Sequence, residues 1–268
     1  MMDTAEFQEL IWEKGRELYR DMPWRQDTNP YYVLVSEIML QQTQVDRVRV
    51  KFHEFMTLFP DINALSSASL AAVLTSWSGL GYNRRAKFLH QAARMIVDEF
   101  GGTFPDTKQE LVKLPGVGVN TAGAILTYSF NQPVVFIETN IRTVYFHHFY
   151  HDQQMISDKE LAAVVADTID REHPREWYWA LMDYGSYLKK NGIGLLDKSA
   201  HYKKQAPLKG SVREVRGLIL KALTAQDMEM TELQRAMPND ERFDVALQGL
   251  TKDGLVTRSG QRLHLTQG

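Results

Sequence analysis

Two carboxylates of this chain stand in apolar company. Glu37 lies inside VLVSEIML, and Glu138 ends the run VVFI just before Thr139 and Asn140. Desolvation in such surroundings raises a carboxyl pKa and keeps a proton available. Glu37 is therefore a candidate general acid; the plain alternative is a surface Glu on an amphipathic helix. Glu138 also has two readings, a capped helix start or a catalytic acid aimed into a pocket. A third stretch, LPGVGVNTAGAI (114–125), binds rather than reacts. Pro115 starts a turn, Gly116 and Gly118 permit positive φ and close backbone approach, and Val117 plugs the flanking helices together. The N–H groups at the following helix start form an anion nest suited to a DNA phosphate. An ordinary αα turn seldom needs two glycines spaced this way before a small-residue helix.

The elements that must position these residues are helices. Phe7, Leu10, Ile11 and Leu18 recur at helical spacing over residues 5–20. DMPWRQDTNP (21–30) reads as a loop. Helical pattern returns from Tyr31 to Phe59, split near Gln44, and again through SSASLAAVL. A Gly79/Gly81 turn follows, then a helix closed by Gly101–Gly102. The LPGVGV hairpin is flanked by helices, and residues 157–173 and 175–190 make two more. The segment 188–210, with six lysines, reads as a basic loop and linker. Residues 211–268 form a separate unit: three helices, then two alternating runs around Ser259–Gly260 that signal a β-hairpin. That order predicts a winged-helix-like (α+β) domain after an all-α one. Such a unit binds DNA or docks a protein.

Composition sets limits. The chain has 268 residues, 44% of them hydrophobic, enough for one large domain or a medium and a small one. It has no cysteine, which removes disulfides, thiolate metal sites, iron–sulfur clusters and cysteine nucleophiles together. The acidic N-terminal stretch MMDTAEFQELIWEKG does not read as a signal peptide. No apolar run approaches the length that spans a bilayer. The formal net charge of −2 means that any nucleic-acid surface must be a local patch.

SEIMLQQTQV (36–45), GLGYNRRAKFLH (79–90), LPGVGVNTAGAI and ETNIRTV (138–144) come in the order, and near the spacing, of one known group of proteins. Over roughly residues 5–187 the chain resembles the helix-hairpin-helix (HhH-GPD) base-excision DNA glycosylases, most closely the MutY adenine-DNA glycosylase family. The resemblance implies a two-lobed helical glycosylase domain over 1–205, its lobes interleaved and a basic loop at 188–209, followed by the winged-helix-like domain at 211–268. The implied partner is duplex DNA with a mismatch or lesion, met by a monomer in a prokaryotic cytoplasm, with no membrane involved.

The resemblance also assigns roles. A base must be flipped out of the duplex before its bond can be cut. Gln42, with neighbours Gln41 and Thr43, and Tyr82 match the residues that fill the gap; alone, they would read as an exposed helix end and a turn aromatic. Gly116, Val117, Gly118 and Thr121 belong to the phosphate-binding hairpin. Loss of adenine passes through an oxocarbenium-like sugar and calls for two carboxyls in different roles. Glu37 matches the acid that protonates adenine. Glu138 matches a position where relatives usually carry Asp, in patterns like LDGNVKR. One extra methylene displaces the carboxylate by about 1 Å, which can cost roughly 10²-fold in rate unless the pocket adjusts. Asn140 matches an Asn that hydrogen-bonds near this carboxylate. Asn120 replaces the Schiff-base Lys of the endonuclease III branch, which implies a monofunctional enzyme. Trp24 and Arg25 resemble residues beside the flipped base, although Trp24 alone would read as a core anchor.

Three departures bear on the substrate. Most relatives carry four cluster-binding cysteines where this chain has Lys189–Lys190 and the basic loop, so no iron–sulfur cluster is expected. The loop is either a phosphate-facing substitute or a solvated linker. A short C-terminal unit replaces the Nudix-like domain that checks for 8-oxoguanine. Trp179, beside Ala180, stands where relatives tend to have a polar pocket residue. No cofactor is expected beyond a monovalent or calcium ion on the hairpin carbonyls. The first-choice substrate is adenine opposite 8-oxoguanine or guanine. The alternatives are a mismatched thymine or uracil, a modified base, or non-catalytic reading of damaged or bent DNA.

Overall fold

Helix α1 (Thr4–Glu17) starts where Asp3 and Glu6 form a capping box: Asp3 Oδ1 accepts from Glu6 N at 2.8 Å, and Asp3 N donates back to Glu6 Oε2. This opens a structure, a computed structural model, that describes residues 2–150, 156–193, 207–238 and 240–267. The chain divides into two compact units by interleaving. One comprises Met1–Leu34, Asp106–Val112 and Val117–Lys204; the other comprises Val35–Pro105, Lys113–Gly116 and Gln205–Gly268. The C-terminal segment is thus grouped with residues 35–105.

In the first unit, α1 is followed by a four-residue helix α2 (Pro23–Gln26), with Pro23 at its first position, where a missing N–H costs nothing. The expected loop over 21–30 therefore contains a helical turn. Asn29 caps the next helix, α3 (Pro30–Leu40), by accepting from Tyr31 N at 2.9 Å. Later in the chain come α8 (Lys108–Leu111), α9 (Val119–Tyr128), α10 (Thr139–Phe149), α11 (Asp158–Thr168) and α12 (Pro174–Lys190). Helix α11 stops five residues short of the expected boundary. Asp170 Oδ1 accepts from the N–H groups of Glu172 and His173 at 2.9 Å, and this local bonding offers the backbone an alternative to helix. Helix α12 runs through Lys190, so the first residues of the expected basic loop are helical; residues 194–206 of that loop lie outside the described residues.

The core of this unit forms where α12 packs on α1 and α10. Phe7 stands at its centre, with ring centroids 5.1 Å from Tyr145, 4.9 Å from Phe149 and 6.0 Å from Trp177. Small residues permit the close approach. A Cβ on Gly15 would meet Ala180 Cβ at 2.6 Å, and one on Gly185 would meet the Asn140 backbone oxygen at 2.2 Å.

In the second unit, α3 continues into α4 (Val45–Leu58), α5 (Ile62–Ser67), α6 (Leu70–Ser76) and α7 (Arg84–Phe100). Asp61 and Ser69 cap α5 and α6, and Gly101 closes α7 in the left-handed region at φ 61°. Leu65, Val73, Trp77, Leu89, Ala92 and Ile96 make the buried interior of this unit. The C-terminal segment adds α13 (Val212–Ala225), β1 (Met228–Glu229), α14 (Met230–Arg235), α15 (Arg242–Lys252), β2 (Val256–Ser259) and β3 (Arg262–Leu265). Its sheet is antiparallel with order β1-β3-β2, Val256 opposite Leu265 and Ser259 opposite Arg262. Strand β1 is too short to show alternation, so the sequence predicts only the hairpin. The segment packs on α6 through α13 and β3, and Leu70 N donates to Gln267 O at 2.8 Å. Among the described residues, no helix is long and apolar enough to cross a membrane.

Candidate active site

The chain before Glu138 is held on three sides. Residues 134–137 have no regular secondary structure, and a Cβ on Gly123 of α9 would lie 2.6 Å from Phe136 Cβ. Phe136 stacks on Tyr178 with centroids 4.2 Å apart, and the Tyr178 hydroxyl donates to Val134 O at 3.1 Å. Asn120 Oδ1, in the first turn of α9, accepts from Ile137 N at 3.3 Å. Glu138 then becomes the N-cap of α10: its Oε2 accepts from Asn140 N at 2.8 Å. The carboxylate is half-buried. The helix dipole favours negative charge at this point. Among the described residues, Oε1 makes no hydrogen bond. One carboxylate oxygen is thus fixed by the cap.

Asn140 faces α12. Its side-chain nitrogen lies 3.9 Å from Met182 Sδ, and its Oδ1 accepts from Lys189 Nζ at 3.3 Å. Behind it runs an ion-pair network. Asp183, 2% exposed, accepts from Arg25 Nη1 at 2.7 Å, Arg25 Nη2 at 2.9 Å, Arg20 Nε at 2.6 Å and Arg20 N at 3.0 Å. The bidentate fork is the geometry that makes Arg–carboxylate pairs strong. Arg25 is itself 8% exposed, and both its terminal nitrogens are engaged by Asp183. Its guanidinium edge is thus held by a buried ion pair. Aromatic rings lie over the guanidinium, the Trp179 centroid at 5.3 Å and that of Tyr19 at 5.6 Å. Trp179 is half-buried and stacks on Tyr128 at 6.3 Å. Trp24 is 8% exposed and belongs to the core.

The other unit carries Glu37. On α3, Tyr31, Val33, Leu34, Val35, Ser36, Ile38 and Met39 are buried, and Glu37 is the only ionisable acid or base along the helix apart from its tyrosines. It is half-buried. A helix apolar on nearly every side is an interior helix, not an amphipathic surface one. Just beyond its end, Gln42 stands exposed at φ 59°. Gln41 Nε2 lies 3.4 Å from Gly116 O, and Thr43 Oγ1 accepts from Arg85 Nη2 at 3.0 Å. Tyr82 adopts φ 47° between Gly81 at φ 71° and Asn83. Non-glycine residues in the left-handed region store strain and concentrate at functional loops.

One buried cation ties the Gln42 and Tyr82 loops together. Arg85, 7% exposed, donates through Nη1 to Ile38 O and Met39 O at 2.8 Å and to Gln41 O. Through Nη2 it reaches Leu80 O at 3.2 Å and Gly81 O at 3.0 Å. It thus caps the negative end of α3 and fixes the turn before Tyr82. Burial pulls its pKa down to about 10, which leaves it charged at neutral pH.

The hairpin between α8 and α9 contains both expected glycines. Gly116 has φ 81°, and a Cβ there would meet Phe88 Cβ at 3.0 Å, so conformation and space both select glycine. Val117 is buried, Gly118 is the N-cap of α9 and is exposed, and Thr121 is half-buried. The first intrahelical bond of α9 is donated by Ala122 to Gly118 O at 2.8 Å. The N–H groups of Val119, Asn120 and Thr121 precede it and have no intrahelical acceptor. Asn120 is exposed.

Residues 35–171 match the model of the HhH-GPD superfamily base excision DNA repair proteins. The chain belongs to that superfamily. Among its relatives are proteins named adenine DNA glycosylase. The Mycobacterium tuberculosis protein of that name is 36% identical over 264 residues, 90% of this chain and 87% of the relative. The Buchnera aphidicola (subsp. Baizongia pistaciae) protein is 36% identical over 173 residues, and the match spans 48% of its length. The HhH-GPD fold recurs in solved structures. A thermostable thymine-DNA glycosylase aligns at TM-score 0.63 with 23% identity, covering 68% of this chain and 86% of that one. Endonuclease III in a trapped covalent DNA intermediate aligns at 0.56 with 18% identity, covering 79% and 93%.

An iron–sulfur cluster does not fit this HhH-GPD chain. There is no cysteine in the sequence, Lys189 and Lys190 end α12, and among the described residues no group of three His, Asp or Glu is placed to hold a metal. Sequence reasoning also missed Arg85 and Asp183. Asp183 left a signal, a carboxylate among the buried helical positions 177, 180, 181 and 184. Arg85 left none, because Arg84 beside it is equally basic and only the fold turns one of them inward.

Proposed function

We propose that this chain hydrolyses the N-glycosidic bond of a base flipped out of duplex DNA, with adenine opposite 8-oxoguanine or guanine as its substrate. The relatives named adenine DNA glycosylase support the base. The observation that carries the chemistry is Glu138, a half-buried carboxylate fixed at a helix N-terminus through one oxygen only. Glu37 donates its proton to a purine ring nitrogen. The bond between that base and C1′ then breaks, and its electron pair leaves with the base. Glu138 stabilises the oxocarbenium ion by its charge. Water adds to C1′ and gives its proton to a carboxylate. The exposed Gln42 and the preset Tyr82 fill the space the base vacates, and the α9 N–H groups hold a phosphate. A monovalent or calcium ion on the hairpin carbonyls would reinforce that grip. Asn120 has no amine to form a Schiff base, so the product is an abasic site with an intact strand.

A second reading, a pyrimidine or modified base, is favoured by Trp179, whose indole stands where relatives tend to have a polar residue. The helix–strand–helix–helix–strand–strand order with β3 central supports a winged-helix-like reading of residues 211–268. The test is base release from duplexes holding A:8-oxoG, A:G, T:G or U:G, each run with and without alkali and with borohydride. Adenine release, breaks only after alkali and no trapped complex are expected. Thymine or uracil release would replace the substrate, and a trapped complex would overturn the monofunctional reading. Tight binding with no release from any duplex would leave a non-catalytic DNA reader.

A further inference from the structure

Residues 207–267 lie outside the stretch that matches the superfamily, yet they reach the loop that matters to it. Arg213, in the first turn of α13, donates from Nη1 to the Tyr82 hydroxyl at 2.7 Å. Its guanidinium also lies 5.2 Å from the Tyr82 ring centroid, while that of Arg85 lies 5.6 Å away. Arg85 grips the backbone before Tyr82, and Arg213 grips the tip of its side chain. The contact is anchored from both ends. Ser211 caps α13 at Glu214 N. Asp253, after α15, accepts from Arg216 at 2.6 Å and pairs with Arg84 at 3.6 Å, and its backbone oxygen accepts from Lys87 Nζ at 2.6 Å. Arg84 and Lys87 lie on the first turn of α7, directly after the Tyr82 loop. The C-terminal segment is therefore tied to the helix that directly follows the Tyr82 loop.

We propose that the C-terminal segment is a positioning part of the glycosylase, acting through Arg213 on Tyr82. This rests on the reading of Tyr82 as the residue that enters the duplex. A ring that must enter a base stack in one pose gains from being ordered beforehand, because ordering it on binding costs affinity for the distorted complex. Tyr82 already has a strained backbone, so its side chain needs an external hold. Arg213 supplies one, a hydrogen bond to the hydroxyl from a guanidinium that also faces the ring.

The test is a double-mutant cycle on the full chain, with Arg213→Met, Tyr82→Phe and the pair, read as single-turnover release of adenine opposite 8-oxoguanine. Preordering of one side chain predicts a loss of about three- to tenfold in each single variant. The double variant should be no slower than the slower single one. Arg213→Lys, which keeps a charged donor, should recover part of the rate. Melting temperatures separate positioning from folding and should stay close to wild type. A 13C label on tyrosine Cζ reads the contact directly: the resonance absent in Tyr82→Phe should move in Arg213→Met. Losses that multiply in the double variant, or an Arg213→Met chain as fast as wild type, would overturn the proposal while leaving the glycosylase reading intact. A wild-type chain that releases no base, whatever the resonance does, would overturn both.

Discussion

At the residue scale, two buried charges do opposite work. Asp183 neutralises Arg25 and Arg20, and Arg85 has carbonyl oxygens for partners. A buried carboxylate that holds a bidentate guanidinium is costly to neutralise, because its removal leaves the cation unpaired. Asp183→Asn should therefore lose about 3–5 kcal/mol of unfolding free energy in a urea titration. His148 gives a pH dependence. It is half-buried beside His147, its Nε2 is 3.1 Å from the Tyr184 hydroxyl, and burial first and His147 second push its pKa down to about 4. The unfolded imidazole protonates near 6.5, so between pH 6.5 and 4 the unfolded state binds more protons. Stability should fall across that window and be flat above it as far as this residue goes. Urea midpoints measured from pH 7.5 to 4.5 should decline less in His148→Gln than in wild type. The apolar setting of Glu37 was legible in the sequence because one acid interrupts an otherwise apolar helix. The ion pair of Arg25 with Asp183 was not, because a basic residue beside Trp24 reads the same whatever partner it has.

At the element scale, the position of Glu138 depends on how closely α10 and α12 approach. Gly185 sets that approach, since a Cβ would fall 2.2 Å from Asn140 O, an atom of backbone that cannot rotate away. Gly185→Ala should cost about 1–3 kcal/mol by overpacking and also displace the Glu138 cap. Base release should then slow by more than the fraction of unfolded chain explains, which activity and circular dichroism of one sample would separate. Helix existence was readable where caps and periodicity agreed, as in α1, α6 and α7. It failed where side chains rewrote the backbone locally, as Asp170 does at the end of α11, and where an element was too short to show a pattern, as with α2 and β1. The N-cap at Glu138 illustrates a different limit: the sequence offered cap or acid as rivals, and the geometry makes them compatible, since one oxygen caps and the other remains.

At the scale of the whole molecule, a chain of net charge −2 must bind an anionic polymer through a local surface. Each Lys or Arg contact to phosphate contributes about −0.9 to the slope of log K against log salt. Duplex affinity measured from low to moderate salt should give a slope steeper than about −2, whereas a slope near zero would contradict a phosphate-bound complex. The interleaving of the two units also explains why no single boundary in the sequence marks them: α3 and the hairpin each cross from one to the other. Glu37 and Glu138 accordingly come from different units. The direct measurement is single-turnover release of adenine opposite 8-oxoguanine by wild type, Glu37→Gln, Glu138→Gln and Glu138→Asp. Release by wild type and losses of at least about 10²-fold in both Gln variants are expected, with a smaller loss in Glu138→Asp, which keeps the charge but reaches one methylene less far. Release by Glu138→Gln at the wild-type rate would contradict the catalytic reading and leave Glu138 a helix cap and nothing more.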